Sequence, residues 1–222
     1  MSALLEISGL SKRFGGLVAL SNLAMTVGEG EVRGVIGPNG SGKSTLFNLV
    51  TGVYSADPGS RVRFRGEDIT NREPHEISRL GLARTFQLLR IFAEMTVIEN
   101  LLVGCHRQVE YPVGAALFGS TRVRAAERRL RGEMLDLLDF VGLADFAEMP
   151  AGELSIGQRR LLALGRAMAM KPVLLMLDEP AAGLSPINVD KLLETVLALK
   201  VRYGLCVTNA PSEYDGAQLY ER

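Results

Sequence analysis

Short apolar runs with turn residues between them open the chain. Residues 3–35 hold three such runs, LLEISGL, VALSNLAMTV and EVRGVIG, which are separated by GG and GEG. Alternating or apolar runs bounded by glycine are typical of β-strands. Residues 61–65, RVRFR, alternate strictly and predict another strand with one buried face. The first third of the chain is therefore expected to be rich in β-structure.

Helical spacing of apolar residues dominates the rest of the chain. The residues STLFNLV predict a helix that ends near Gly52. Thr96 and Glu99 form a capping-box pattern that predicts a second helix at VIENLLVG. Three further segments carry apolar side chains at helical spacing: 122–141, 156–170 and 188–203.

The run PVLLML at 172–177 is continuously apolar, which is typical of a strand buried on both faces. Strands that alternate with helices predict an α/β fold around a mainly parallel sheet. A more helical middle, roughly 88–170, stands between the β-rich start and this buried strand. We therefore expect a core sheet with a helical insertion.

The chain has no net charge, and its one notable charge cluster lies on a single predicted helix. Lysine plus arginine and aspartate plus glutamate both number 25, so no global field attracts nucleic acid or an anionic membrane. One predicted helix nevertheless carries five arginines: Arg122, Arg124, Arg128, Arg129 and Arg131. We interpret them as a solvated helix face, with contact to nucleic acid or lipid as the alternatives.

Composition narrows the class of protein. The chain has 222 residues, 47% of them hydrophobic, which is enough to build a core without disulfides or structural metal. Cys105 and Cys206 lack metal-site spacing and are interpreted as small core residues. The N-terminus does not resemble a signal peptide, and no apolar run approaches the ~20 residues of a spanning helix. We expect a cytoplasmic protein whose membrane role, if it has one, comes through a partner.

A glycine-rich motif interrupts the first strand-to-helix transition and fits GxxxxGK[ST] at every fixed position. In this motif glycines let backbone N–H groups turn toward one anion, and the following helix N-terminus adds its dipole. Lys43 would bring a full charge to the β- and γ-phosphates, and the Ser44 hydroxyl would ligate Mg²⁺. The predicted phosphate loop consists of Gly37, Pro38, Asn39, Gly40, Ser41, Gly42, Lys43 and Ser44.

Two carboxylates follow the buried strand in VLLMLDE. Successive strand residues point to opposite sides, so Asp178 and Glu179 can take different roles. Asp178 is suited to hold Mg²⁺ through its water shell, and Glu179 could polarise an attacking water. An ordinary acidic loop start is the alternative interpretation.

A third motif identifies a family. Leu154-Ser155-Ile156-Gly157-Gln158 precedes the DE strand, and together with GPNGSGKST it resembles the ATP-binding subunit of ABC transporters, whose signature reads LSGGQ. The resemblance covers about residues 4 to 203. DEPAAGLSP and RLGLARTFQLLRIFAEMTVIENLLVG look most like the ATPases of branched-chain amino-acid importers. This resemblance implies a single P-loop ATPase domain with an N-terminal antiparallel β region. Its nucleotide-binding core would comprise residues 1–87 and 171–203, and its helical subdomain residues 88–170.

The resemblance also implies roles for single residues. Phe14 matches the aromatic residue that stacks on adenine, with a core phenylalanine as the alternative. Gln87 matches the glutamine that reaches Mg²⁺ and the attacking water, with an ordinary polar loop residue as the alternative. Thr45 completes the nucleotide-binding motif. Ser155, Gly157 and Gln158 match the signature that closes over ATP held by a second subunit; there Ser155 would cap a helix. Ile156 replaces a signature glycine.

Partners follow from the resemblance as well. They are a second ATPase subunit in a head-to-tail dimer, transmembrane permease subunits and, indirectly, a substrate-binding protein. The expected location is the cytoplasmic face of the plasma membrane. No nucleic acid partner is expected, although a soluble ATPase that acts on nucleic acid or ribosomes is an alternative. Urea, amides or exported lipids are alternative cargoes.

The end of the chain departs from the family pattern. The family expects a histidine after the last core strand, where this chain has Ser212. His75 and His106 lie far upstream and are interpreted as surface or packing residues. Thr208, Asn209 and Pro211 are expected to interrupt the last strand. We interpret residues 204–222 as a tail foreign to the pattern, from a truncated or frame-shifted reading frame. An alternative function is therefore a nucleotide-binding module with impaired hydrolysis.

Overall fold

The computed structural model describes residues 3–85, 91–105, 121–178, 194–195, 198 and 206–211. The chain divides into two compact units. Unit 1 comprises residues 1–87 and 173–222, and unit 2 comprises residues 88–172.

Unit 1 begins with an antiparallel sheet in the order β2-β1-β4-β5. Arg61–Phe64 alternates between exposed and buried positions, with Val62 and Phe64 inside, as its sequence predicts. The β-rich start of the chain is thereby confirmed. The strands of this sheet are β1 (Ala3–Phe14), β2 (Leu17–Gly28), β4 (Arg61–Phe64) and β5 (Glu67–Asp68).

The second sheet of unit 1 is parallel in all three strand pairs, with the order β3-β8-β7-β6. All five residues of β7 are buried, which confirms a strand covered on both faces. The mainly parallel core sheet predicted by the sequence is therefore present. Its strands are β3 (Val32–Gly37), β6 (Leu82–Thr85), β7 (Leu174–Asp178) and β8 (Cys206–Pro211).

Strand β8 corrects one expectation. Residues 206–211 pair with β3 on one side and with β7 on the other, so the prediction that Thr208, Asn209 and Pro211 interrupt the strand is wrong. Parallel pairing uses backbone N–H and C=O groups, which threonine and asparagine both retain. Pro211 is the last residue of the strand, where its missing N–H removes the fewest ladder hydrogen bonds.

One hydrophobic core joins both sheets of unit 1 to helix α1 (Lys43–Val50). The α1 helix ends at Val50, and its C-cap Thr51 directly precedes Gly52, near which the end was predicted. A second helix, α2 (Pro74–Arg79), was not predicted and buries Ile77 in the same core. His75 of α2 is exposed, which confirms its interpretation as a surface residue. The largest side chains of this core include Leu5, Leu10, Phe47, Phe64 and Leu174.

Unit 2 is built from helices α3 (Val97–Gly104), α4 (Thr121–Phe140) and α5 (Ile156–Ala169), with α3 packed against both others. The predicted capping box at the start of α3 is present, because the Thr96 hydroxyl accepts from the Glu99 N–H. All three helices follow the predicted segments.

Two buried groups of unit 2 hold its segments together. Asn100 is fully buried and bonds to the N–H and C=O groups of Phe92 as well as to the Thr96 carbonyl. Cys105 is a buried free thiol 3.1 Å from the Met134 sulfur, and burial raises its pKa to about 11. This confirms Cys105 as a core residue and makes it a poor nucleophile. The Cys206 side chain and His106 lie outside the described residues.

The arginines of α4 are solvated where the structure describes them. Arg124, Arg128, Arg129 and Arg131 are exposed, and two of them pair with Glu133 and Glu148. Of the predicted helix at 188–203, residues 194, 195 and 198 are described, and all three are helical. None of the helices in the described ranges has the length and apolar character needed to cross a membrane.

Candidate functional site

The predicted phosphate loop connects β3 to α1, as its motif requires. Gly42 is the N-cap of α1 and has a φ of 91°, in the left-handed region that glycine adopts without strain. A Cβ at this position would lie 2.5 Å from the Ala19 carbonyl oxygen. Glycine at 42 is therefore required both by the backbone conformation and by the space available.

Because Gly42 has no side chain, it cannot cap the helix that it starts. Its carbonyl accepts the first helical bond, from Leu46, at 2.8 Å. The N–H groups of the first turn have no partner within the helix. They carry the positive end of the helix dipole, which favours an anion at this place.

Lys43 lies at the start of this turn and is buried, with 7% of its surface exposed. Its Nζ donates to the carbonyl oxygens of Gly37 at 2.5 Å and Pro38 at 3.0 Å. These bonds hold the ammonium group against the loop itself. Ser44, the next residue, is exposed, as are four other predicted loop residues, Pro38, Asn39, Gly40 and Ser41. The loop thus places a buried cation beside exposed backbone donors.

Phe14 ends β1 and is 42% exposed, which excludes the alternative of a core phenylalanine. Its ring meets Tyr54 in an edge-to-face arrangement with centroids 5.4 Å apart. The Lys12 Nζ lies 5.3 Å from the Phe14 centroid. The exposed part of this ring offers apolar surface against which a base could stack.

Asp178 ends β7 and is 4% exposed. One of its oxygens, Oδ2, accepts from Arg84 Nη2 at 2.5 Å, and its backbone N–H donates to Thr85 Oγ1 at 3.4 Å. Both partners belong to β6, which pairs with β7 in parallel. The predicted metal-binding carboxylate is thus half of a buried ion pair.

Sequence reasoning missed Arg84. The residue could have been noticed as a charged side chain within the short strand LART. That strand was not predicted, because this part of the longer segment RLGLARTFQLLRIFAEMTVIENLLVG was used only for its resemblance to a family. Gln87 and Glu179, the predicted water-positioning residues, lie outside the described residues. Ser44 and Asp178 offer a hydroxyl and a carboxylate, which are the hard oxygen donors that Mg²⁺ prefers. Both residues belong to unit 1 and fit such an ion chemically.

The signature residues start helix α5 in unit 2. As predicted, Ser155 is the N-cap: its hydroxyl accepts from the Gln158 N–H at 3.3 Å. The Gln158 side chain accepts in turn from the Ser155 N–H at 2.9 Å, which completes a capping box. Ile156 is 63% exposed, so the residue that replaces a glycine adds an apolar side chain to the surface.

Arg159 supports the segment before the signature and was also not predicted. Its Nε donates to the Leu154 carbonyl at 2.8 Å and its Nη2 donates to the Gly152 carbonyl at 2.6 Å. A Cβ on Gly152 would lie 3.2 Å from the Ala93 carbonyl oxygen. The turn that leads into α5 is therefore fixed by side-chain bonds to its backbone.

Comparison with known proteins adds the family. The family model described as ABC transporter matches residues 20–182. The chain is 43% identical over 204 residues to the high-affinity branched-chain amino acid transport ATP-binding protein BraF of Pseudomonas aeruginosa, covering 92% of this chain and 80% of BraF. It is 39% identical over 197 residues to the corresponding LivG protein of Escherichia coli, covering 89% and 77%.

Solved structures agree with this result. An ATP-binding cassette of an ABC transporter in its ADP conformation matches with a TM-score of 0.81 at 37% identity, covering 95% of this chain and 82% of that one. A nucleotide-free cassette matches with a TM-score of 0.79 at 37% identity, covering 94% and 81%. The loop geometry, the fold and these similarities together show that the chain belongs to the ABC transporter family as one of its ATP-binding, ATP-hydrolysing proteins.

Proposed function

We propose that the chain is the ATPase subunit of a membrane ABC importer for branched-chain amino acids. The observation that carries this proposal is the N-terminus of α1, where Gly42 leaves backbone donors free of side-chain capping beside the buried Lys43. The cargo is inferred from the names of the relatives, which are amino acid transport proteins. The chain would bind a permease at the cytoplasmic face of the membrane. That permease would select the cargo and use the free energy of ATP hydrolysis to transport it.

In this proposal the loop residues Gly37 to Thr45 hold the phosphates of ATP, and Phe14 stacks on the adenine. Lys43 would exchange its bonds to the Gly37 and Pro38 carbonyls for bonds to phosphate oxygens, which carry full charge and bind an ammonium more strongly. Ser44, Asp178 and Gln87 would hold Mg²⁺, which neutralises phosphate charge when bound. Glu179 would orient and polarise the attacking water.

The signature at Ser155, Gly157 and Gln158 would meet ATP held by a second ATPase subunit in a head-to-tail dimer. To bind a phosphate oxygen with its N–H, Gln158 would release Ser155 Oγ, its present acceptor. Dimer closure on ATP and opening after hydrolysis would then drive the permease between its two states. In phosphoryl transfer the protein mainly positions groups and stabilises charge, and these residues supply both functions.

Two variants test the proposal. Lys43→Ala is expected to lose nucleotide binding, because it removes the loop cation. Glu179→Gln is expected to keep ATP binding and lose turnover, because glutamine cannot polarise water as a carboxylate does. Matched controls are Lys171→Ala and Glu148→Gln, which alter exposed ion pairs of unit 2. Wild-type protein without Mg·ATP binding in calorimetry would contradict the proposal.

Association with the membrane needs a separate experiment. Tagged chain is expected to co-purify with a polytopic membrane protein and without RNA or DNA. Recovery of ribosomes or nucleic acid instead would favour the alternative class of soluble ABC ATPase.

A second candidate function is a nucleotide-binding module with little turnover. It rests on Ser212, which stands where the family expects the histidine near the γ-phosphate and lies outside the described residues. Loss of one such transition-state contact costs about 10²–10³-fold in rate. Tight Mg·ATP binding without phosphate release in a single-turnover assay would favour this candidate, and a gain of rate in Ser212→His would assign the defect to that position.

A further inference from the structure

Arg84 and Asp178 form a buried ion pair that the proposed roles of the site do not explain. Their side chains are 6% and 2% exposed, and the Nη2 to Oδ2 distance is 2.5 Å. Burying two charges carries a desolvation cost that the pair recovers only with good geometry and further hydrogen bonds. Such a pair is therefore weak evidence of a purely stabilising role, and the rest of its bonding indicates what else it does.

The other bonds of the Arg84 guanidinium lead to helix α1. Its Nη1 donates to Asn48 Oδ1 at 2.7 Å and to Thr51 Oγ1 at 3.2 Å. Its Cζ lies 5.5 Å from the centroid of the Phe47 ring. These three α1 residues and Asp178 thus surround one planar group. A guanidinium presents its donors in a fixed fork, so it sets direction as well as distance.

Arg84 thus bridges helix α1 and Asp178, and each of these belongs to one half of the proposed Mg²⁺ site. Asp178 ends β7, and α1 begins with Lys43 and Ser44 directly after the phosphate loop. Asn48 and Thr51 lie in the last turn of α1 and at its C-cap, so the helix transmits their position to Ser44 as a rigid element. The backbone bond from Asp178 to Thr85, the neighbour of Arg84, adds a second link to β6.

We propose that Arg84 is a positioning residue that fixes the Asp178 carboxylate relative to helix α1, and so relative to Ser44. This inference rests on the proposed function, in which Ser44 and Asp178 hold the Mg²⁺ of bound nucleotide. Arg84 also places an opposite charge 2.5 Å from the buried Asp178 carboxylate, which offsets part of the cost of burying it. Since misplacement by 1 Å can cost about 10²-fold in rate, loss of the bridge should lower kcat more than nucleotide affinity.

The sharpest test leaves the ion pair intact and removes its anchors on α1. The double variant Asn48→Ala/Thr51→Val deletes Asn48 Oδ1 and Thr51 Oγ1, the two acceptors of Arg84 Nη1 among the described residues. Its matched control, Thr51→Ser, keeps Asn48 and retains a hydroxyl acceptor at position 51. We expect kcat of the first to fall by about 10-fold and that of the second to stay within about twofold, with ATP affinity measured without metal unchanged in both.

A readout independent of turnover is the electron paramagnetic resonance spectrum of Mn²⁺ bound with ADP. The anchor-deleted variant should show broadened lines and weaker Mn²⁺ binding, because its carboxylate takes up several positions. Arg84→Lys, which keeps the charge and loses the fork, should show the same changes. Arg72→Lys, an arginine in the exposed ion pair with Glu67, should show none.

The outcomes separate this inference from the proposed function. If wild-type protein binds and hydrolyses ATP while the anchor-deleted and Arg84→Lys variants keep its kcat and Mn²⁺ spectrum, the positioning role is overturned and the function stands. If wild-type protein binds no Mn·ADP, the proposed function itself fails. Should Arg84→Lys not fold, the anchor-deleted variant alone decides, since it leaves no buried charge without its partner.

Discussion

The N-termini of helices α1 and α5 both present backbone N–H groups, but only the N-terminus of α5 has a side-chain cap. At α1 the N-cap is Gly42, which offers no side-chain acceptor, and the first turn is left for an external one. At α5 the N-cap is Ser155, and Ser155 and Gln158 satisfy each other. The α1 N-terminus therefore has no side-chain acceptor of its own, whereas the α5 N-terminus already has one for the Gln158 N–H.

This difference in capping is consistent with different proposed roles for the two helix ends, which the sequence motifs alone do not distinguish. An anion at α1 gains backbone donors, a dipole and the buried Lys43 without displacing any side-chain cap, so this end can hold nucleotide within one subunit. The first-turn N–H groups of α5 also lack partners within the helix, but an anion that binds the Gln158 N–H must replace the Ser155 hydroxyl and gains there only the difference between two acceptors. A ligand at α5 therefore needs further contacts, which a dimer with ATP already bound to the other subunit would supply.

Substitution of Gly42 should abolish nucleotide binding at the N-terminus of α1. Gly42→Ala places a Cβ 2.5 Å from the Ala19 carbonyl oxygen at a φ of 91°, so the loop must move. We expect nucleotide binding to be lost in calorimetry. The free energy of unfolding should fall by more than the about 1–2 kcal/mol of left-handed strain alone.

The control for this change is Gly59→Ala, at a φ of 90° with no atom within 4 Å of the new Cβ. It should show the left-handed strain without the clash and without loss of nucleotide binding. Normal affinity in Gly42→Ala would show that the phosphate loop does not depend on close backbone approach.

Removing the cap of α5 should have a smaller and more selective effect. Ser155→Ala and Thr96→Ala each delete the N-cap hydroxyl of a capping box in unit 2, and each should cost about 1 kcal/mol of stability in urea unfolding. Only Ser155→Ala should also lower kcat, by roughly 10-fold, since in the proposed dimer the Ser155 hydroxyl, once released by Gln158, would donate to a charged phosphate. Equal kcat in the two variants would remove Ser155 from the proposed nucleotide site.

The base contact should be weaker than either phosphate contact. Phe14 and Phe92 are similarly exposed, at 42% and 47%, and each has a cation near its ring, Lys12 and Arg166 respectively. Phe14→Ala should weaken ATP affinity by about 2–10-fold through loss of stacking, with little change in stability. Phe92→Ala should leave the affinity unchanged, and a similar loss in both variants would argue against a specific adenine contact.

The sequence predicted the parts of the molecule whose local pattern decides the structure. The strictly alternating strand at Arg61–Phe64, the capping box at Thr96 and the buried strand β7 all formed where periodicity and cap chemistry placed them. The helix cap at Ser155, which the family resemblance implied, is also present. The phosphate loop was equally predictable, because its glycines, lysine and helix start act within eight adjacent residues.

Features that depend on distant residues escaped sequence reasoning. Two of the partners of Arg84, Asn48 and Asp178, are 36 and 94 positions away, and no local pattern indicates that they meet. Strand β8 was misjudged for a related reason: its polar composition argued against a strand, but β3 and β7 supply backbone partners on both sides. Sheet pairing outweighed local propensity there.

The smallest expected effect compares two capping boxes that differ in one chemical group. The box at α3 ends in the carboxylate Glu99, and the box at α5 ends in the neutral amide Gln158. Hydrogen bonds from the Thr96 backbone and hydroxyl lower the pKa of Glu99 below its ordinary value of 4.5. A carboxylate with a lowered pKa stabilises the fold above its unfolded-state pKa, and this contribution is lost as the pH falls through the folded-state pKa.

The N-terminus of α3 should therefore loosen below about pH 4.5, while that of α5 should not respond through its own box. The measurement is a carboxyl carbon NMR titration of Glu99, together with amide hydrogen exchange at Val97–Glu99 and at Ile156–Gln158 between pH 3 and 6. Glu99→Gln should abolish the pH response of α3 and make its start resemble that of α5. A titration of Glu99 at 4.5 or above would show that the Thr96 bonds do not favour its ionised form, and the two boxes would then differ in composition without differing in behaviour.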